Sequence, residues 1–222
     1  MALRSAPTLD VRPATPADAA AMAAIHARLL PHGFFADLGR RFLRAYHQSF
    51  MTSPHAVSMV ACRDGVVVGM IAGALDAGQH QRYVIRHHGL RLLAVGASAL
   101  AVRPALLLRF LTTRVGRYGR GLFRAARPPQ GVPGPAAGGP EETVAVLTHV
   151  AVDSLVQGEG GGSALVDAFV NEVRRRGTAD RIELVTLADG GASPFYERLG
   201  WTACGEHLRE GARYRRFSLS LR

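Results

Sequence analysis

The chain has 222 residues, of which 48% are hydrophobic and 20% charged, a composition typical of a soluble globular protein. Two cysteines are too few for a disulfide framework or a metal site of their own, and the N-terminal sequence lacks the apolar segment of a secretory signal. The formal net charge of +10 rests on arginine alone, because the sequence contains no lysine. These properties predict a cytoplasmic protein with one domain of about 150 residues and an elaboration.

The first 77 residues carry the patterns of a strand, two helices and a hairpin. A short strand is predicted over Val11–Thr15, followed by a helix that opens with Thr-Pro-Ala-Asp. Apolar side chains at four-residue intervals indicate a second helix over Phe35–Phe50. Two alternating segments, Ala56–Cys62 and Val66–Ala74, flank Asp64-Gly65 and predict a β-hairpin.

Residues 78–140 form a strongly basic segment. It contains no acidic residue and ten arginines: Arg82, Arg86, Arg91, Arg103, Arg109, Arg114, Arg117, Arg120, Arg124 and Arg127. The apolar run Leu92–Val102 is shorter than the roughly 20 residues that cross a membrane. Beyond it, leucines and arginines fall on opposite sides of a helical wheel, and Pro128–Pro140 has the composition of a flexible linker.

Three interpretations of this basic segment follow from its pattern. The apolar side can pack on the chain's own domain or on a second subunit in a homodimer, because an exposed leucine face promotes aggregation. Alternatively, it can lie on an anionic membrane surface with the arginines toward lipid headgroups. Nucleic-acid binding through the arginines is the third interpretation and the least favoured, since the few aromatic residues of the segment form no base-stacking pattern.

A strand, a glycine turn and a helix follow this segment. Val144–Val152 is an apolar, β-branched run that predicts a buried strand, and Ser163–Val173 has a helical apolar stripe. Between them lies the glycine-rich turn Gln157–Gly162. Free amides at a helix N-terminus and the close approach that glycine permits make this arrangement suitable for binding a phosphate.

Two common phosphate-binding motifs do not fit this turn. A P-loop requires Gly-Lys followed by Ser or Thr, and the chain has no lysine. A dinucleotide turn requires an acid at the end of a second strand about twenty residues on, whereas Asp180 precedes the next predicted strand.

The C-terminal part completes a sheet. A strand is predicted over Arg181–Ala188, a short helix over Ser193–Leu199, and a closing hairpin from segments 201–206 and 214–221.

Two motifs in this half resemble those of the GNAT family of acyl-CoA-dependent N-acyltransferases. The first is Gln157-x-x-Gly160-x-Gly162, which follows a strand ending in Ala151-Val152. The second is Asp189-x-x-Ala192-x-x-Phe195-Tyr196-x-x-x-Gly200-Trp201. The two occur in the family's order and at its usual separation. The resemblance covers residues 8–77 loosely and 141–220 closely.

The resemblance implies an α/β fold with a mixed, mostly antiparallel sheet of six to seven strands flanked by helices. In the family the sheet is splayed between its fourth and fifth strands, and acyl-CoA occupies the gap. The chain is therefore expected to be a single GNAT domain over residues 1–222, with residues 78–140 as a helical basic insertion and linker.

The resemblance also implies which residues bind acetyl-CoA; no metal is expected. Strand backbone groups pair with the pantetheine arm, turn amides hold the pyrophosphate, and Asp189 replaces the family's usual Asn and can cap the next helix. The expected set is Val150, Ala151, Val152, Gln157, Gly158, Glu159, Gly160, Gly161, Gly162 and Asp189. At Gly160 and Gly162 a side chain is expected to occupy phosphate space.

Tyr196 occupies the position of the family's general acid, which protonates the departing CoA thiolate. A phenol of pKa about 10 keeps its proton at neutral pH. Packing against its neighbours is the alternative role.

The general base is left open. The family's strand glutamate is replaced by Val146, and His149 in the same strand can act through water. Strand alternation points His149 to the face opposite Val146, which favours a packing role. Further candidates are Glu183, Glu142, His32 and bulk water.

The expected function is transfer of an acetyl group from acetyl-CoA to a primary amine of a small molecule or peptide. The expected mechanism is direct transfer through a tetrahedral intermediate. A silent acyl-CoA-binding sensor is the alternative, as is a protein that binds nucleic acid or a membrane surface through its arginines.

Overall fold

The computed structural model describes residues 9–31, 34–113, 142–209 and 211–222. Within them lie seven strands and seven α-helices. The strands are β1 (Leu9–Pro13), β2 (Ala56–Arg63), β3 (Val66–Ala74), β4 (Val144–Val152), β5 (Arg181–Leu187), β6 (Thr202–Arg209) and β7 (Ala212–Ser220). The helices are α1 (Ala19–Leu29), α2 (Phe34–Asp37), α3 (Arg40–Thr52), α4 (Ala77–Ala101), α5 (Pro104–Thr113), α6 (Gly161–Arg176) and α7 (Ser193–Arg198). Short 3-10 turns cover Pro16–Asp18 and Ser154–Val156.

The strands form one sheet in the order β1-β2-β3-β4-β5-β7-β6. Only β4 and β5 are parallel; every other neighbouring pair is antiparallel. The parallel pair is connected through α6, the crossover that parallel neighbours require. The predicted fold class, a mixed and mostly antiparallel sheet of six to seven strands flanked by helices, is confirmed.

Helices cover both faces of the sheet. Successive side chains of β3 point to opposite faces, and each face packs on a different helix. Ile71 belongs to a buried cluster with Leu165 and Phe169 of α6. Its neighbour Met70 packs in a second cluster with Met22 and Ile25 of α1. β2 is buried over Ala56–Cys62 and β3 over Gly69–Ala74, so these strands are covered on both faces and are not the half-exposed strands that alternation predicts.

A bulge in β4 interrupts its pairing with β3. Ala72 lies opposite His149 and the next residue, Gly73, lies opposite Leu147, so Thr148 is an extra residue in the strand. The Thr148 hydroxyl donates a hydrogen bond of 3.0 Å to the Ala72 carbonyl. The extra residue shifts the alternation of side chains, an effect that a sequence pattern does not reveal.

Gly73 is the residue on which the bulge and α6 converge. A Cβ atom built there would lie 2.5 Å from the Phe169 ring and 2.6 Å from the Val146 carbonyl oxygen. Because the carbonyl belongs to the paired strand, the contact cannot be relieved by a rotamer change.

We therefore expect Gly73→Ala to lower the free energy of unfolding by about 1–3 kcal/mol, the usual cost of overpacking a core. Urea unfolding measures the change. Gly89→Ala in α4, where φ is not positive and a Cβ atom would meet nothing closer than 3.9 Å, separates the effect of replacing a glycine from that of the clash. Equal losses in the two variants would contradict the packing argument.

The segment predicted to be an insertion begins with a 25-residue helix, α4, which lies along α3. Leu92, Val95 and Ala99 pack on a cluster that contains Phe34, Leu38 and Phe42. Polar contacts add to this packing: the Arg91 guanidinium donates to the Gln48 side chain at 2.7 Å, and the Tyr83 hydroxyl to the Thr52 carbonyl at 2.8 Å. Among the described helices, none combines the length and apolar character needed to cross a membrane.

Several predicted boundaries need correction. The first strand occupies Leu9–Pro13, two residues before the prediction. The single helix predicted over Phe35–Phe50 is two helices, since Gly39 adopts a φ of 86° and ends the first of them. The hairpin turn is as predicted, with positive φ at Asp64 and Gly65. The predicted helical face beyond residue 113 and the predicted linker lie outside the described residues.

Candidate active site

The sheet opens between β4 and β5. Their parallel pairing runs from Val144 opposite Arg181 to Leu147 opposite Leu184 and ends there. Beyond it β4 continues to Val152 beside β3, and β5 continues to Leu187 beside β7. The two strands therefore separate next to the Thr148 bulge, and the β5-facing edge of residues 148–152 has no strand partner within the described sheet. Val150, Ala151 and Val152 lie on this free edge.

The glycine turn lies at the end of that edge. The Asp153 amide donates to the Val68 carbonyl at 2.8 Å, and the Gln157 side-chain amide to the Val152 carbonyl at 3.2 Å; both contacts hold the turn against the sheet. Gly158 and Gly160 have φ values of 86° and 83°, and a side chain at either would point into open space. At these two positions glycine is required by backbone conformation.

Helix α6 starts directly after Gly160, which is its N-cap. The Ala164 amide closes the first helical turn on the Gly160 carbonyl at 2.9 Å. The amides of residues 161–163 precede that bond and have no carbonyl partner within the helix. Together with the helix dipole they can bind an anion at the mouth of the gap.

The two glycines of the first helical turn differ in their surroundings. A Cβ atom at Gly161 would lie 3.1 Å from Leu9, which is a tight contact, whereas one at Gly162 would lie 3.4 Å from the Phe195 ring, which is an ordinary van der Waals distance. Packing therefore favours glycine at residue 161, and the expectation that a side chain at residue 162 would occupy phosphate space stays a prediction.

Acidic residues of the turn are paired with arginines from elsewhere in the fold. Asp153 accepts a hydrogen bond of 2.5 Å from Arg28 of α1, and Glu159 forms an ion pair with Arg63 at the end of β2. These pairs offset the negative charge of a turn proposed to bind phosphate. The sequence analysis missed both arginines, because nothing local relates them to residues about a hundred positions away.

Tyr196 lies on α7 and follows Phe195, whose ring faces Gly162 at the start of α6. Its ring packs against Phe195, Trp201 and Phe217, with ring centroids 5.1–5.8 Å apart. Burial raises the pKa of Tyr196 to about 12, so the phenol keeps its proton at neutral pH. The ring is fixed by packing, while the hydroxyl forms no hydrogen bond with the described residues and is not enclosed among buried atoms.

Asp189 does not cap α7. The N-cap of that helix is Ala192, and Gly190 and Gly191 separate it from Asp189. The Asp189 carboxylate instead accepts a hydrogen bond of 2.8 Å from Arg213 and is largely exposed. The predicted capping role is wrong, because the loop is too long for Asp189 to reach the helix start.

Three histidines from three elements meet next to the bulge. The His26 Nδ1 atom of α1 lies 3.0 Å from the His47 Nε2 atom of α3, and the His149 ring is centred 4.8 Å and 5.9 Å from these two rings. Tyr46 and Phe50 of α3 also contact the His149 ring. We call His26, His47 and His149 the histidine cluster.

His149 faces α1 and α3, not α6. Ala145 and Leu147 belong to the cluster on the α6 side, so Val146 lies on the same face of β4 as His149. The opposite orientation predicted from strict alternation is wrong, because Thr148 adds one residue between them. His149 therefore lies on the same face of β4 as Val146, the position at which the family has its strand glutamate.

All members of the histidine cluster are neutral at pH 7. Burial lowers the pKa of His26 to about 4; burial, followed by the charge of His26, lowers that of His47 to about 3. Burial and then both neighbours hold the pKa of His149 well below its usual value. The Nδ1 atom of His149 is buried and has no hydrogen-bond partner. The same does not hold for its Nε2 atom, which is the nitrogen left for a substrate to reach.

The other candidate bases lie elsewhere. Glu183 and Glu142 both pair with Arg181, at the closed end of the β4–β5 pair. His32 lies outside the described residues. Within the described chain, the strand edge, the glycine turn and His149 lie at the open end of the β4–β5 pair, and Tyr196 packs in the cluster on the α6 side of the sheet. No group of metal-binding side chains was found among the described residues.

Comparisons with known proteins agree with this arrangement. Residues 121–201, which include the glycine turn and Tyr196, match the family model of the acetyltransferase (GNAT) family. Among curated protein sequences none matches the chain.

Solved structures share the fold at low identity. An N-acetyltransferase from Staphylococcus aureus Mu50 superposes with a TM-score of 0.57 at 12% identity, covering 97% of this chain and 99% of that chain. The ribosomal-protein-S18-alanine N-acetyltransferase from Escherichia coli has a TM-score of 0.56 at 12% identity, covering 96% and 94%. The yncA protein from Salmonella typhimurium, solved with its cofactor acetyl-CoA, has a TM-score of 0.56 at 16% identity and the same coverage.

The matched segment and the shared fold agree with the resemblance carried by the two sequence motifs: residues 121–201 match the acetyltransferase (GNAT) family, and the fold is shared with solved N-acetyltransferases.

Proposed function

We propose that this protein is an N-acetyltransferase that transfers the acetyl group of acetyl-CoA to a primary amine. The observation that carries the proposal is the opening between β4 and β5, which ends in a glycine turn at the start of α6. The whole chain acts as one domain in this proposal, and residues 78–140 are an insertion into it.

The residues present fit acetyl-CoA at three levels. The free edge of Val150, Ala151 and Val152 can pair with the amide-bearing pantetheine arm as an added strand. Of the amides expected to hold the pyrophosphate, those of Gln157 and Glu159 donate to the carbonyls of Ser154 and Val156, so the glycine amides from Gly158 to Gly162 would hold it, with open space at Gly158 and Gly160. Arg28 and Arg63 offset the acids of the turn, so phosphate does not meet an uncompensated negative charge.

The reaction is a direct transfer through a tetrahedral intermediate. The amine nitrogen forms a bond to the thioester carbon, and the carbon–sulfur bond then breaks. One proton leaves the nitrogen for His149, directly or through water. Another passes from the Tyr196 hydroxyl to the departing thiolate, which the raised pKa of Tyr196 permits at neutral pH. Solvent restores both groups.

The cofactor assignment predicts a change in thermal stability. Acetyl-CoA at about 100 times its dissociation constant should stabilise the fold by ~2.7 kcal/mol, a rise in melting temperature of roughly 5–10 °C. Gly160→Glu should abolish this rise, because its carboxylate enters the phosphate space. Gly211→Glu is the matched control, since Gly211 has nearly the same φ of 81° and open surroundings in the β6–β7 turn. If acetyl-CoA raises the melting temperature of the Gly160→Glu variant as much as that of the original protein, the glycine turn is not its binding site.

The acceptor can be identified in cell extract. Pure protein and acetyl-CoA should produce acetylated amines that mass spectrometry detects, and Tyr196→Phe is the control for non-enzymatic acetylation. A melting shift without any acetylated amine would instead identify a silent acyl-CoA sensor.

A second candidate function concerns the outer face of α4. Leu90 and Leu93 are 87% and 69% exposed, and Arg82 and Arg86 lie on the same side of the helix. Residues 77–113 contain no acidic side chain. A surface that is both apolar and basic favours contact with an anionic membrane, where each arginine contributes up to ~1 kcal/mol.

Sedimentation with vesicles tests this contact. The protein should sediment with anionic but not neutral vesicles, and salt should weaken the association. The Leu90→Gln, Leu93→Gln double variant should lose it, whereas Leu208→Gln, at an equally exposed position on β6, should not. If the double variant alters only the oligomeric state, the face is a homodimer interface.

A further inference from the structure

The histidine cluster bears on the kind of amine that the protein acetylates, an inference that rests on the proposed function. The cluster lies where the gap between β4 and β5 closes, and His149 is the cluster member on the gap-lining strand. If the pyrophosphate occupies the glycine turn and the arm follows β4, the acyl end lies near Thr148 and His149. The amine must reach the acyl carbon there.

Every element packed on His149 contributes a side chain without charge. The contacts are His26 from α1 and Tyr46, His47 and Phe50 from α3, and the residue opposite on β3 is Ala72. Among the described residues no carboxylate contacts the ring. An ammonium group would therefore exchange its hydration for aromatic and imidazole surfaces without an anionic partner, which is costly.

The cluster also resists accepting a proton before the reaction. His26 and His47 are buried and already hydrogen-bonded to each other at 3.0 Å, and His149 Nδ1 is enclosed without a partner. A proton on His149 would thus place a charge beside two buried rings with no counter-ion. The low pKa values of all three groups express the same physical cause.

We propose that the acceptor binds as an uncharged, weakly basic primary amine, and that the histidine cluster selects against alkylammonium groups. Candidate classes are peptide α-amines, arylamines and amines bearing electron-withdrawing neighbours. In this mechanism His149 Nε2 accepts a hydrogen bond from the neutral amine. It takes the proton only after the nitrogen–carbon bond has formed, when the nitrogen has become acidic, and Tyr196 supplies the proton for the thiolate.

The selection can be large. At pH 7 a peptide α-amine of pKa about 7.7–8.0 is neutral in roughly one molecule in ten, whereas a lysine-type amine of pKa about 10.4 is neutral in roughly one in 2,500. The greater nucleophilicity of the more basic amine offsets only part of this difference.

Two measurements test the proposal on the full-length protein. Nitrogen NMR of the histidine rings in the acetyl-CoA complex, with His149→Gln to assign the signal, should find His149 neutral from pH 6 to 8. Acetylation rates should then be compared for 2-phenylethylamine and its 2,2-difluoro analogue, which have similar shapes but very different ammonium pKa values.

The difluoro analogue, which is the less basic amine, is expected to have a kcat/KM at least about tenfold higher than 2-phenylethylamine at pH 7. The rate for 2-phenylethylamine should rise as the pH is raised towards the pKa of its ammonium group. A His149 that titrates near 6.5, or a preference for the more basic amine, would overturn the inference while leaving the acetyltransferase proposal intact. If neither amine nor any extract component is acetylated, the proposed function fails and the inference fails with it.

Discussion

Replacing Tyr196 by phenylalanine is expected to lower turnover at least about a hundredfold while leaving the affinity for acetyl-CoA unchanged. The aromatic ring packs against Phe195, Trp201 and Phe217, and phenylalanine preserves that packing. Only the hydroxyl is lost, and general-acid roles typically contribute ~10²–10⁴-fold. Steady-state kinetics with an identified acceptor give the turnover, and the melting shift reports the affinity.

Tyr214→Phe is the control for this experiment. Tyr214 lies on β7, where it stacks on His207 of the closing hairpin, and its hydroxyl has no part in the proposed chemistry. A loss of less than about fivefold in Tyr196→Phe would assign Tyr196 to packing alone.

Mild acid is expected to destabilise the fold through its buried histidines. The pKa values of His26, His47 and His80 fall to about 4, 3 and 4, chiefly because burial penalises the charged ring, and that of His149 is also lowered. Below the unfolded-state value of about 6.5 the unfolded chain binds protons that the folded chain does not, so stability falls as pH falls. The window is about pH 6.5 down to 4, above the range in which Asp18 loses its pairing with Arg12.

Between pH 7.5 and 5.5 each such histidine should remove about 1.3 kcal/mol from the free energy of unfolding, or about 5 kcal/mol for the four. Urea unfolding at several pH values measures the slope. The His26→Gln, His47→Gln double variant should reduce the slope by about half, and His207→Gln, on the exposed β6–β7 hairpin, should leave it unchanged. A slope in the double variant equal to the original would contradict the role of the cluster.

Much of the fold can be predicted from sequence because local patterns determine it. Val144–Val152 is a strand with the bounds that its β-branched run indicates, and the Asp64-Gly65 turn sets the β2–β3 hairpin. The motifs that contain Gly160 and Tyr196 are likewise continuous in the sequence. In each case adjacent residues carry the whole signal.

The remaining features depend on contacts between distant segments. Thr148 is an unexceptional residue in its strand, yet as a bulge it reverses the expected direction of His149. The histidine cluster draws on residues 26, 47 and 149, and no spacing rule connects them. The pairing of Arg63 with Glu159 is equally invisible in one sequence.

The packing of α4 on α3 has a consequence for the ancestry of the domain. Phe35, Phe42 and Tyr46 of the host helices share a cluster with Leu92 and Val95 of the insertion. Without α4 the Phe42 side chain would lose much of its cover, so we expect α4 and the surface beneath it to have changed together. Relatives that pass directly from β3 to β4 should therefore carry a polar residue at the position of Phe42, and this position should track the gain or loss of α4 across the lineage.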